Sequence, residues 1–244
     1  MLAFRILTTL LVSNGQLVKG KKFVNDRRIG SVQQAVNVFK MRGIDEMAIV
    51  DIGASRENRL IDYEFVNSLT NGCFMPLAFG GGVKSLEDVR ILLQYGADKI
   101  VIGSHATKEL LNEISQNLGS QSLSCSVDYI GNSVFNCNRD CISSMDTLDY
   151  CKYIEAEGAG EIILQSIERD GTMQGYDIPM IERVCKAVNI PVVASSGAGS
   201  YDDFYQAYSS GCSGVSAGAM YAFTELTPKG AKEYLNGKGI NVRS

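Results

Sequence analysis

The sequence predicts an α/β protein, a (β/α)8 barrel built from two similar half-barrels. Three observations carry that expectation. Eight short apolar runs without polar alternation recur along the chain, mostly followed by stretches with helical spacing of apolar residues. That is the pattern of a parallel sheet covered by helices. Eight such units in 244 residues match the size of this barrel, typically about 250 residues. Lastly, the chain repeats itself. Ala78-Phe79-Gly80-Gly81-Gly82 returns as Ala194-Ser195-Ser196-Gly197-Ala198, a shift of 194 − 78 = 116. Gly96-Ala97-Asp98-Lys99 returns as Gly211-Cys212-Ser213-Gly214, a shift of 211 − 96 = 115. A period near half the chain suits two half-barrels and not a short-repeat solenoid.

The elements follow in order. The first strand is expected at 3–11, with Arg5 inside the apolar run. That charge, and the lack of a small-residue cleavage site, exclude a signal peptide. A helix at 31–42 leads to a strand at 46–52 and a helix at 63–69. The third strand, 75–79, ends in Gly80-Gly81-Gly82 before a helix at 85–95, where Ser85 and Asp88 have capping-box spacing. The fourth unit is a strand at 99–102 and a helix at 108–118. The second half repeats the plan with strands at 123–127, 161–165, 191–194 and 214–217, and helices at 145–157, 179–188 and 201–210. Residues 1–244 read as one barrel domain.

Composition bounds the chemistry. With 45% apolar and 20% charged residues, the chain has enough apolar material for a sizeable core. No uncharged apolar stretch approaches the roughly 18 residues needed to cross a bilayer, so a soluble, cytoplasmic protein is expected. A net charge of −4 argues against a nucleic-acid partner, though local basic patches remain able to hold phosphates. Seven scattered cysteines, an odd number, fit a reducing compartment better than a disulfide framework. Cys137 and Cys141 form a lone C-x3-C with too few ligands for a metal site. The single histidine, His105, excludes any site that needs two imidazoles. No metal and no cofactor is expected. Chemistry must rest on carboxylates, lysines and backbone amides.

Two turns suit a phosphorylated ligand. Gly80-Gly81-Gly82 precedes the helix at 85, and Gly197-Ala198-Gly199-Ser200 precedes the helix at 201. Further on, Ile102-Gly103-Ser104 and Ala217-Gly218-Ala219 repeat the arrangement. Small residues let backbone approach a ligand, and amides at a helix start attract anions. A symmetric pair of such turns suits a small molecule with two phosphates. Gly81, Gly82, Ser104, Gly197, Gly199 and Gly218 are the candidate contacts. Barrel turns need glycine for purely steric reasons too.

At Ser166-Ile167-Glu168-Arg169-Asp170-Gly171-Thr172-Met173-Gln174-Gly175-Tyr176-Asp177 the chain resembles the HisF family, the cyclase subunit of imidazole glycerol phosphate synthase. Val18-Lys19-Gly20, Gly43-Ile44-Asp45-Glu46, Asp51-Ile52, Gly158-Ala159-Gly160-Glu161 and Ser196-Gly197-Ala198-Gly199 extend the likeness, which runs from residue 1 to Asn241-Val242-Arg243. The sister isomerase HisA fits the Gly175-Tyr176-Asp177 segment and the C-terminus less well.

The resemblance implies a TIM barrel whose chemistry uses two aspartates, at the ends of strands 1 and 5, as general acid and base. Opposed carboxylates in a closed site hold different pKa values and exchange protons in sequence. Asp128 fills the strand 5 position, whereas the strand 1 position holds Leu11, which carries no proton. Two further departures are Gly103, where the family has Asn beside a phosphate, and Phe135-Asn136-Cys137-Asn138-Arg139-Asp140-Cys141, where it has a Gly-rich basic loop. Lys19, Asp51 and Asp170 are retained as substrate contacts. On the opposite face, the resemblance assigns an ammonia gate to Arg5, Glu46, Lys99 and Glu161, which also read as a structural salt-bridge plug. It places Asp98 and Gln121 against a glutaminase subunit.

Three functions follow. The chain is expected to pair with a HisH-like glutaminase and conduct ammonia through the barrel to a phosphorylated or nucleotide-sugar acceptor pathway, such as a separate sugar amidotransferase for surface polysaccharide, without the usual cyclase step. The alternatives are a working cyclase in histidine biosynthesis, with another group replacing the strand 1 aspartate, and a non-catalytic phosphate-binding scaffold or glutaminase activator.

Overall fold

The computed structural model describes residues 3–137 and 140–243. Eight parallel strands close a barrel: β1 (Arg5–Ser13), β4 (Glu46–Asp51), β5 (Leu77–Gly80), β6 (Lys99–Ile102), β7 (Leu123–Ile130), β10 (Glu161–Ser166), β11 (Val192–Ser195) and β12 (Gly214–Ser216). Closure comes from β12 pairing with β1 and from β7 pairing with β10. Outside lie α1 (Val32–Met41), α2 (Tyr63–Thr70), α3 (Leu86–Gln94), α4 (Lys108–Leu118), α5 (Thr147–Ala156), α6 (Ile178–Ala187), α7 (Tyr201–Ser209), the short α8 (Ala219–Phe223) and α9 (Pro228–Gly237). No described helix is long and apolar enough to cross a membrane.

The expected strands and helices all appear, within a few residues of their expected ends. Sequence periodicity missed two hairpins, β2–β3 (Gln16–Lys21, Val24–Gly30) and β8–β9 (Ser133–Asn136, Cys141–Asp146), and the last two helices. The hairpins extend β1 and β7 antiparallel beyond the barrel. Met145 and Asp146 accordingly belong to β9 and not to the following helix, whose N-cap is Asp146.

The two halves superimpose by number. Helices α1 and α5 share both ends after one constant shift (147 − 32 = 156 − 41 = 115), and so do α3 and α7. The capping boxes Ser85/Asp88 and Ser200/Asp203 obey the same shift. The glycine-rich turns therefore align at 115, not at the 116 that their composition suggested. Strands β1 and β7 are related by 117. Leu7 faces Glu46 and Ser124 faces Glu161, while Leu11 faces Val50 and Asp128 faces Gln165. Leu11 and Asp128 occupy the same place in the two halves.

Side chains from alternate positions fill the barrel in layers. Above a charged floor lies an apolar layer of Leu7, Ala48, Ala78, Val101, Ile163 and Val193. A larger cluster, including Ile6, Met47, Ile49, Phe79, Ile100 and Phe204, packs the outer wall against the helices. The last helix is fixed to the floor through a charge. Asp45, with 2% of its side chain exposed, accepts from the Ile6 amide at 2.8 Å and pairs with Lys232 of α9 at 2.5 Å. Replacing Lys232 with Met leaves that carboxylate buried and unpaired. Urea unfolding of Lys232→Met is expected to show a loss of about 3 kcal/mol, whereas Lys229→Met, the neighbouring control, should shift little.

Candidate active site

The C-terminal ends of the strands enclose a cavity of about 190 Å3, lined by Leu11, Lys19, Asp51, Gly81, Gly82, Ser104, Asp128, Asp170, Gly197 and Gly218 among others. Gly199 does not line it. Its amide donates to Asp203 Oδ2 at 2.9 Å within the capping box of α7, so this expected phosphate contact is already occupied.

Asp128 is 9% exposed. Gln165 Nε2 (2.9 Å) and Ser126 Oγ (3.0 Å) both donate to its Oδ1, and the Cys137 thiol donates to Oδ2 at 3.2 Å. Burial pushes the Asp128 carboxyl above its ordinary value, while the three donors offset part of that rise. Burial and the neighbouring carboxylate push the Cys137 thiol up, which keeps it a protonated donor. Cys141, by contrast, is exposed, and among the described residues no metal-ligating cluster forms. Asn138 and Arg139 lie outside the described residues. Across the barrel, at the matching position, Leu11 presents only hydrocarbon to the cavity.

The other acids differ in their freedom. Asp51 accepts from Arg59 Nη1 at 2.7 Å and from the amides of Gly53 and Ala54, so its carboxylate braces the turn after β4. Asp170 is buried, and burial raises its carboxyl while the nearby Lys19 opposes the rise. His105 also lines the cavity, its imidazole held below the usual value by burial and by Lys84.

The two phosphate-type turns each carry two successive residues with positive φ. In one, Gly81 and Gly82 have φ of 129° and 72°; in the other, Ser196 and Gly197 have φ of 73° and 114°. A Cβ on Gly82 would sit 1.8 Å from the Arg59 carbonyl oxygen, and one on Gly197 would sit 2.3 Å from that of Gly175. Glycine is a steric necessity at both.

At the floor, Arg5 Nη1 pairs with Glu46 at 2.9 Å and Arg5 Nη2 with Glu161, while Lys99 Nζ lies 3.1 Å from both glutamates. Ser124 Oγ adds a bond to Glu161 at 2.7 Å. Four strands thus deliver a closed ring of alternating charge. Burial works against ionisation of Glu161, yet Arg5 and Lys99 outweigh it and hold the carboxyl below its ordinary value. Beside this floor, Met41 and Phe74 are 79% and 94% exposed, and the Lys40 ammonium lies over the Phe74 ring. Asp98 and Gln121, both exposed, precede β6 and β7 at the same end; Asp98 also accepts from the Leu77 amide.

Sequence reasoning found the acids, the ring and the turns. It missed Gln165, Ser126 and Cys137 around Asp128, and Arg59 on Asp51. Gln165 was legible in principle, since it faces Asp128 in strand register; no local signal marks Cys137.

Residues 5–227 match a family described as histidine biosynthesis protein. Over its whole length the chain is 39% identical across 250 residues to the imidazole glycerol phosphate synthase subunit HisF of Natranaerobius thermophilus, covering all of that protein. It is 36% identical, again over its full length and 99% of the relative, to the same-named subunits of Thermococcus onnurineus and Pyrococcus furiosus.

The ring generates a pH-dependent expectation. Because the folded Glu161 carboxyl is held below its usual value of 4.5, its contribution is fully present above that pH and is lost as pH falls through the lowered value. Glu161→Gln should cost about 2 kcal/mol at neutral pH, reduced from the fully buried case by the partial exposure of Arg5 and Lys99. It should also lack the part of the acid-limb stability loss that belongs to Glu161. Thermal unfolding across pH 3–7 checks both.

Proposed function

The chain belongs to the HisF family of histidine biosynthesis proteins, and on that premise we propose that it is the synthase-side subunit of a glutamine amidotransferase, conducting ammonia from a HisH-like glutaminase to an acceptor it does not itself cyclise. The single observation that carries this reading is the contrast between the two ends of the barrel. The floor retains every charge of the Arg5–Glu46–Lys99–Glu161 ring, whereas the catalytic end has Leu11 where the repeat places the partner of Asp128.

The floor suits passage of a small neutral base. Lys99 and Arg5 keep 22% and 18% of their side chains exposed, so a cation can swing aside while the glutamates stay anchored. Ammonia then meets an apolar layer in which Ala48 and Ala78 leave the smallest side chains. Higher up, Thr9 and Ser216, 2.9 Å apart, and the Ser195–Gln165–Asp128–Ser126 chain offer hydrogen bonds towards the cavity. Met41 and Phe74 supply apolar contact for the glutaminase on the floor side.

At the cavity, Lys19 and the glycine turns are suited to a phosphorylated ligand. Asp128 serves as a proton acceptor or donor there, poised by burial, but ring closure calls for a second group of opposite role, and the matching place across the barrel holds Leu11. The hairpins at this end expose Val24, Ile142 and Met145, and Met173 and Phe223 are exposed beside them. An apolar rim of this kind fits a docked acceptor enzyme, such as a sugar amidotransferase.

Two observations favour a working cyclase instead. Asp170 is a second buried carboxyl on the same cavity, raised by burial, and the similar proteins bear the synthase name.

The two readings separate in one assay. Given the family's ribosyl bisphosphate substrate and a high concentration of ammonium salt, the purified chain is expected to turn over about 10²–10⁴-fold below an ordinary cyclase, with Leu11→Asp restoring at least tenfold. Ordinary turnover by the unaltered chain, abolished by Asp170→Asn, would establish the cyclase. In the glutaminase complex, Lys99→Ala should uncouple glutamine hydrolysis from delivery of ammonia, leaving glutamate formed without aminated product.

A further inference from the structure

Ser196 breaks the internal symmetry of the barrel. Under the shift of 115 its counterpart is Gly81 (196 − 81), and both residues open a turn with two successive left-handed positions. In the first half that place admits no side chain: a Cβ on Gly81 would lie 2.7 Å from the Asp51 carbonyl oxygen. In the second half a serine stands there at φ 73°. A non-glycine residue in this region is strained, and Gly81 demonstrates that the turn forms without a side chain. The serine carries a second cost. Its Oγ is shut off from solvent and has no hydrogen-bond partner among the described residues, which lowers stability. Two local penalties coincide on one residue, and that residue lines the catalytic cavity.

Nothing ties the hydroxyl down. Without a partner, rotation about Cα–Cβ to another staggered position is open to it, so the donor can turn to whatever occupies the turn. The surroundings favour an anion. Gly218, at the end of the neighbouring strand β12, has the Lys19 ammonium 2.8 Å from where its Cβ would be. We infer that Ser196 is a ligand-binding residue, donating its hydroxyl to a phosphoryl oxygen of the group held at the turn before α7, so that the two phosphate turns differ in strength. This deepens the proposed function and rests on its reading of the two turns as phosphate sites.

Ser196→Gly and Ser196→Ala test it, with inorganic phosphate as the probe and backbone amide NMR as the readout. Shifts of Gly197 and Ala198 report the second turn, and those of Gly81 and Gly82 serve as the internal control. Both variants are expected to weaken the response of the second turn about tenfold while leaving the first unchanged. Ser196→Gly should at the same time raise Tm, because glycine relieves the left-handed strain and removes the unpartnered hydroxyl; Ser196→Ala, which keeps the strain, should raise it less or lower it. Stability gained together with affinity lost is a pairing that a purely structural serine does not give. A drop in Tm of several degrees in Ser196→Gly, or unchanged affinity at the second turn in both variants, would overturn the inference while leaving the two phosphate sites intact. If the unaltered chain shows no phosphate response at either turn, both this inference and the phosphate reading fall.

Discussion

Hydrogen-bond register around a closed parallel barrel decides which side chains enter its interior and at what height. Arg5, Leu7, Thr9 and Leu11 point inward because they alternate along β1, and their neighbours on β4 and β12 are fixed opposite them by the ladder. A slip of one residue in any strand would send an inward set to the helix-covered wall. The charged floor depends on this most. Glu46 and Glu161 are both nearly inaccessible to water, and register alone brings Arg5 and Lys99 to them from other strands, a pairing that holds the Glu161 carboxyl below its ordinary value. The apolar layer, the hydroxyl layer and the cavity then follow in sequence above that ring.

Duplication explains much of the rest and locates its exceptions. Helix ends, capping boxes and the positive-φ positions of the turns repeat after one shift, and the two floor glutamates are themselves counterparts. The cations of the ring both come from the first half. Leu11 against Asp128, and Gly81 against Ser196, are two of the places where the halves have diverged on the cavity wall. Symmetry thus separates what both halves of the scaffold share from what is particular to one side of the cavity.

The barrel was legible because its strands are buried on both faces and its helices carry strong caps, so period and punctuation agree with the final fold. Ser85 with Asp88 announced a helix start, and the closed barrel keeps it. The hairpins were not legible: β8 and β9 are short and half exposed, with Cys141, Ser143 and Asp146 giving no clean alternation. At the site, residue types with intrinsic chemistry could be found by position. Partner choice could not. That Arg59 secures Asp51, or that Cys137 reaches Asp128 from nine residues away, is set by how turns and hairpins fold back. The repeat shift was off by one at the glycine turns because composition aligned glycine with glycine, whereas backbone conformation aligns Gly81 with a serine.

The bond between Lys232 and Asp45 has a meaning for how the molecule comes into being. Asp45 sits near the start of the chain and its cation in the last helix, just as β1 must wait for β12 and Phe4 for Val242. A ribosome releases the N-terminal half well before those partners exist. Until then the first half-barrel has an open edge and a carboxylate facing its floor without a counter-ion. Its most distant contacts are therefore also its last, and the nascent chain is held short of completion until translation reaches α9.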